Sequence, residues 1–277
     1  ENNKIDILHV HNPITAFIHN YYALKNGVPV RIYHNHSSQF SDTWLKSIRN
    51  RFLVFLALKN ATHRISCGQL AGLKIFGKKS FQILPNAIDI NKYRFSPTFR
   101  EEIRKEFHIA EHQKVVGMIG ILNPFKNQSF LIEVAKELPN VTFFFVGEGP
   151  DRSILEGKSK KLKNIIFTGK REDVHKFYSA FDIFAFPSLY EGFPIVLVEA
   201  QCSGVNIIMN ETIDPTTQIV GELCTAMPLD KDKWVNYIQK APFKDKQRQL
   251  NEHLKRFDIE ENVQNLKEIY KQGLKRE

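Results

Sequence analysis

Cysteine is scarce in this 277-residue chain: Cys67, Cys202 and Cys224 are odd in number and far apart. No CxxC pair occurs, so a disulfide framework and a cysteine-based zinc site are both unsupported, and a reducing cytoplasm is the expected compartment. Long apolar runs are missing as well. The longest, residues 52–58, falls far short of the roughly 20 residues that cross a bilayer. The opening Glu1-Asn2-Asn3-Lys4 carries no signal-peptide core and no initiator Met. No internal repeat or low-complexity tract occurs, and no G-x-G-x-x-G follows a strand-like run, which disfavours a dinucleotide-dependent oxidoreductase. Acidic residues are nearly absent from the first third. Residues 1–95 hold 13 Lys+Arg against 4 Asp+Glu, which is the whole formal charge of +9, whereas residues 96–277 hold 26 of each. Such a segment can meet anionic lipid, a phosphorylated substrate or nucleic acid, or be an ordinary solvated surface.

What is present is an alternation of short apolar runs and helical patterns. Strands are expected at 115–120, 141–146, 165–168, 183–186 and 205–209, and helices at 128–138, 152–162, 172–180 and 194–203. Continuous apolar strands have both faces covered, so residues 100–230 read as a doubly wound parallel α/β domain. The first third follows the same grammar, with strands at 5–10, 28–33, 64–66 and 81–84 and helices at 14–25, 44–59 and 69–76. That is too few βα units for a full nucleotide-binding-type domain, and a start on a strand leads us to expect that earlier units have been cut away. Residues 86–98 read as a hinge. Beyond 208 the strand pattern fades into helices at 231–239, 244–255 and 260–273. The expected domains are 1–95, 96–255, and a C-terminal helix in 256–277 packing back on the first.

Ligands of an open parallel sheet bind beyond the carboxyl ends of its strands. The loops at that edge begin Gly120-Ile121, Gly147-Glu148-Gly149-Pro150, Gly169-Lys170-Arg171 and Pro187-Ser188. The last of them delivers Glu191 and then Gly192-Phe193-Pro194, with Pro194 suited to the first helical position. The next amides, Ile195 and Val196, face out of the helix start and attract a phosphate. Glu199 comes near the start of an otherwise apolar helix. Taken alone, the two glutamates are a loop charge and a helix-start carboxylate favoured by the dipole. Asp230-Lys231-Asp232 has metal-binding spacing, but it precedes a helix start, where capping is the better reading. His9, His34 and His36 read as structural. The helix at 44–59 joins apolar Phe52, Leu53, Phe55 and Leu56 to Lys46, Arg49 and Arg51, as interfacial helices do, although packing of that face inside the first domain is slightly favoured.

The glutamate pair is not alone. The segment resembles the E-x7-E signature of family 4 retaining glycosyltransferases, whose GT-B fold sets out two Rossmann-like domains. Gly147-Glu148-Gly149-Pro150, Phe167-Thr168-Gly169, residues 182–189 (DIFAFPSL) and Lys126-Asn127 match as well. So do 6–13 (DILHVHNP), 31–38 (RIYHNHSS) and 85–89 (PNAID), and the wording is most like capsular and exopolysaccharide members. The resemblance implies that Glu199 grips ribose hydroxyls, while Glu191 and the backbone from Gly192 to Ile195 face sugar and diphosphate. It further implies that Gly120, Gly147 and Lys126 line the donor site, Lys126 neutralising the leaving diphosphate. Lys170 and Arg171 would border the base, and His11 would face the donor sugar.

By the same resemblance the donor is a nucleotide-sugar, with a UDP-sugar favoured, and the acceptor a lipid-linked or polysaccharide chain. No cofactor or metal is required, and nucleic acid is not a partner. A peripheral place on the inner face of the plasma membrane is compatible with the basic first third. Two departures stand out: Ile121 replaces the Arg usual after the first-loop glycine, and the family's glycine-rich donor loop would precede residue 1. The alternatives are a non-catalytic GT-B partner of an active transferase and, less favoured, a sugar-nucleotide epimerase of the same fold.

Overall fold

The computed structural model describes residues 4–36, 40, 44–242 and 248–275. Two compact units emerge: Glu1–Ile88 with Glu191–Phe193 and Arg256–Glu277, and Asp89–Tyr190 with Pro194–Lys255.

The first unit holds parallel strands β1 (Ile7–Val10), β2 (Val30–Asn35), β3 (His63–Ser66) and β4 (Gln82–Ile83), in that order across the sheet. Helices α1 (Pro13–Lys25), α2 (Trp44–Asn60) and α3 (Gln69–Phe76) make the crossovers. Asn12 starts α1, its side chain accepting from the Ile14 N–H at 2.8 Å, with Pro13 directly after it. One sheet face packs Val10 and Tyr33 on Ala16, Val54, Ala57, Leu58, Ile75 and Phe76. The packed side of α2 is therefore Val54, Ala57 and Leu58. Phe52 and Phe55, expected to pack in the domain, are 61% and 52% exposed, together with Trp44, Leu45 and Ile48.

The second unit contains α4 (Pro97–Glu106), β5 (Lys114–Ile119), α5 (Gln128–Lys136), β6 (Val141–Val146) and α6 (Arg152–Ser159). It continues through β7 (Ile165–Gly169), α7 (Val174–Ala180), β8 (Ile183–Phe186), α8 (Ile195–Cys202), β9 (Asn206–Asn210), β10 (Cys224–Met227) and α9 (Lys231–Lys240). The six strands form a parallel sheet of order β10-β9-β8-β5-β6-β7. Each apolar strand feeds two cores in alternation. Val116, Met118, Phe143, Phe145, Ile183 and Ala185 point to the α5 and α9 side; Val115, Ile119, Phe144, Val146, Phe184 and Phe186 point to the α7 and α8 side. This alternation is what makes the run look uniformly apolar in sequence. At the foot of the sheet Asp182 accepts from Arg100 and Arg104, both at 2.8 Å, and from the Val115 N–H at 2.8 Å.

The chain then returns to the first unit as α10 (Ile259–Leu274), whose Ile269, Leu266 and Tyr270 cover Val30, Ile32, Ile65 and Leu84.

Three sequence expectations need correction. Helix α4, beginning at the end of the expected hinge, was not foreseen, because two of its three buried side chains are arginines, Arg100 and Arg104 beside Ile103. Strand β10 lies after the point where strands were expected to end; it is a half-buried edge strand with no continuous apolar run. Of the helix expected at 244–255, residues 244–247 lie outside the described residues, and Glu252–Phe257 forms a 3-10 turn instead.

Candidate active site

The strand order of the second unit reverses between β5 and β8, and open parallel sheets bind ligands beyond the carboxyl ends at such a reversal. The loops after these two strands are tied together there. The Leu189 N–H donates to the Phe125 carbonyl at 2.8 Å, and Asn127 Nδ2 donates to the Pro187 carbonyl at 3.4 Å. The 3-10 turn Pro124–Lys126 is capped by Asn123, whose side chain accepts from the Lys126 N–H at 3.0 Å. Lys126 Nζ then lies 5.2 Å from the centroid of the Phe186 ring at the end of β8. Its stem passes Gly120, where an added Cβ would meet Cε at 3.5 Å. The sheet reversal thus holds a cation on a short, capped turn.

Gly120 and Gly147 have φ of +153° and +139°. The sequence suggests that such glycines admit a ligand to the backbone, but at Gly147 the close neighbour is protein. A Cβ there would stand 2.1 Å from the Gly120 carbonyl oxygen, and one on Gly149 would stand 2.2 Å from that of Leu122. With the Leu122 N–H donating to the Glu148 carbonyl at 2.9 Å, the glycines after β6 lock the β5 loop in place.

Pro194 is the N-cap of α8 in extended conformation rather than its first helical residue. The Leu197 N–H donates to the Pro194 carbonyl at 3.1 Å, so the amides of Ile195 and Val196 come before the first bond of that turn. Glu199 is likewise not at the helix start: the first turn contains no acid, and Glu199 sits one turn further in, 8% exposed. Its partners are tyrosines. Buried Tyr178 donates from Oη to Glu199 Oε2 at 2.5 Å, and Tyr93 bonds to the same carboxylate. Burial raises the Glu199 pKa above 4.5, against the pull of both phenols and of Lys92. Nothing in the sequence couples residues 92, 93 and 178 to Glu199, so this cradle is a tertiary product.

The other expected residues are divided between the two units. Glu191, Gly192 and Phe193 are half-buried and belong to the first unit, where Phe193 stacks on Phe257 at 5.5 Å between centroids. His11, also in the first unit, is exposed, and its Nδ1 lies 2.7 Å from His36 Nε2. Burial and then the charge of His36 lower the His11 pKa. In the second unit Lys170 is exposed. Arg171 is engaged by Glu106 at 2.7 Å and Asp173 at 2.8 Å, over the Phe177 ring, and these bonds raise its pKa. Asp230 accepts from the Lys233 N–H at 3.0 Å as the N-cap of α9.

The crystal structure of Anabaena HepE in complex with UDP-glucose superposes with a TM-score of 0.80 at 23% identity, over 96% of this chain and 79% of that one. The sequence profile described as glycosyl transferases group 1 matches residues 99–256. A Bacillus subtilis protein named as the glycosyltransferase EpsF is 30% identical over 98% of this chain and 76% of its own length. The Escherichia coli UDP-Gal:alpha-D-GlcNAc-diphosphoundecaprenol alpha-1,3-galactosyltransferase is 29% identical over 75% of this chain and 58% of its own. The chain belongs to the group 1 glycosyltransferases, with a GT-B fold of two parallel sheets. Among the described residues no helix is long and apolar enough to cross a membrane.

Proposed function

We propose that this glycosyltransferase moves a sugar from a UDP-sugar to a lipid-linked or polysaccharide acceptor, with retention of anomeric configuration. The observation that carries the reading is the tied β5–β8 reversal, which holds Lys126 beside the loop leading into the α8 start, with Glu199 buried one turn on. Lys126 and the Ile195 and Val196 amides stabilise the departing diphosphate, where preorganised charge counts most. Glu199, already posed by two phenols, accepts from ribose hydroxyls. Exposed Ile121 leaves the family's arginine role on this loop to Lys126. Glu191 and His11 take the sugar-facing roles that the resemblance implies. HepE in complex with UDP-glucose and the E. coli UDP-galactose enzyme support the choice of base. Thermal-shift and calorimetric titration with UDP, GDP and ADP sugars tests it: UDP-sugars bind, and NMR of the product shows the donor's anomeric configuration. Binding of none of the three, or an inverted product, ends the reading.

The acceptor side adds a membrane component. The apolar residues exposed on α1 and α2, among them Tyr22, Trp44, Leu45 and Phe52, lie beside Lys25, Lys46, Arg51 and Lys59 in the part of the chain that carries the net charge. That combination suits an anionic lipid surface. Co-sedimentation with anionic vesicles, lost in neutral vesicles and weakened by salt, is the expected result; equal binding to both removes the idea.

A further inference from the structure

The first unit collects histidines of which the proposed transfer reaction uses only His11. His9 and His34 lie on neighbouring parallel strands, and His11 comes just after the end of β1. The rings form a triangle with centroid separations of 4.3 Å for His9–His11, 5.3 Å for His9–His34 and 5.1 Å for His11–His34. Each ring offers a nitrogen within 4.8 Å of those of the other two. His34 is 5% exposed, and both its ring nitrogens are buried without a hydrogen-bond partner, as is Nε2 of His9. Unpaired buried imidazole nitrogens on His9 and His34, lying this close together in a stack of rings with His11, point to a missing ligand.

We propose that His9, His11 and His34 bind a divalent first-row transition ion of the Zn2+ type, with a fourth coordination position open. For His9 and His11 the surroundings match those of imidazole ligands, whose second nitrogen is held by a polar partner. His9 Nδ1 lies 2.8 Å from Tyr270 Oη, which leaves Nε2 for the metal. His11 Nδ1 lies 2.7 Å from His36 Nε2, and His36 Nδ1 lies 2.8 Å from Asn86 Oδ1, so that chain leaves the His11 Nε2. Zn–N bonds of about 2.1 Å set ligand nitrogens roughly 3.4 Å apart in a tetrahedron, so binding would draw these nitrogens, now within 4.8 Å of one another, closer together.

The site is built within one unit and stands without the donor reading, although a bound ion and a donor sugar would compete for His11. The test uses the untagged full chain, stripped with a chelator, dialysed and titrated with Zn2+ against a chromophoric competitor. About one tightly held equivalent is expected, with Co2+ giving the visible absorption of a tetrahedral site. His11→Asn, at an exposed position that folding tolerates, should weaken Zn2+ by about 100-fold, and Tyr270→Phe by about 10- to 100-fold. His253→Asn, on an exposed turn, should change nothing. Wild-type affinity in His11→Asn, or no affinity above that of the competitor in wild type, overturns the proposal. UDP-sugar affinity measured on the same proteins reports separately on the donor site.

Discussion

The two sheets end in different chemistry. At the carboxyl edge of the first, imidazoles gather on β1 and β2; at that of the second, glycines, one lysine and a tyrosine-bound carboxylate surround a strand reversal. The interiors differ as well. The second unit buries an ion triad at the foot of its sheet, whereas the first buries neutral rings. A sheet covered on both faces can hold charge only where the partners are fully supplied, as Asp182 is by two arginines and a backbone amide. Histidine can be buried by giving up its proton instead.

The comparison is most easily broken at Asp182. Asp182→Ala leaves two buried guanidinium groups uncompensated and should cost about 3–5 kcal/mol, seen as an earlier urea transition of the second unit. A change below about 1 kcal/mol, the size of an exposed pair, would show that the triad contributes little. Next in size is Lys126→Ala, expected to slow sugar transfer by about 10²- to 10³-fold while circular dichroism and Tm stay put. An unchanged turnover would move the charge-stabilising role elsewhere.

Glu199→Gln sharpens the contrast through pH. The folded-state pKa of Glu199 is raised above 4.5. Its contribution to stability is therefore complete below pH 4.5 and is lost as pH rises through the raised value. Wild type should lose stability relative to the Gln variant as pH climbs from 4.5, and a flat difference in urea midpoints would contradict the burial. The same substitution should weaken UDP binding by roughly 1.5–3 kcal/mol, the worth of a hydrogen bond to a charged group. The smallest effect belongs to Asp230→Ala, at about 0.5–2 kcal/mol for a lost N-cap, with donor and metal affinity unaltered. Any loss of metal there would reopen the reading of Asp230 and Asp232 as ligands.

Most of the second unit was legible because its strands are buried on both faces and its turns are marked by glycine and proline. Residues 141–146 and 183–186 are strands to the residue. Helix α4 was not, since a helix that buries arginine against a carboxylate 78 residues away has no apolar stripe to display. At the site, the loops and their order along the sheet edge could be read directly. The glycine-to-glycine lock between β5 and β6, the cap position of Pro194 and the phenols on Glu199 could not. The lock and the phenols depend on which distant residues come within reach, and the cap on where the α8 hydrogen bonding begins.

Sequence alone settled the parallel α/β class, the family resemblance and the segregation of positive charge, because these come from periodicity, short motifs and counting. Tertiary structure decided which strands are neighbours, and with that where the order reverses. It also decided that His9, His11 and His34 share one small volume, because a parallel register joins residues far apart in the chain and leaves their nitrogens unpaired.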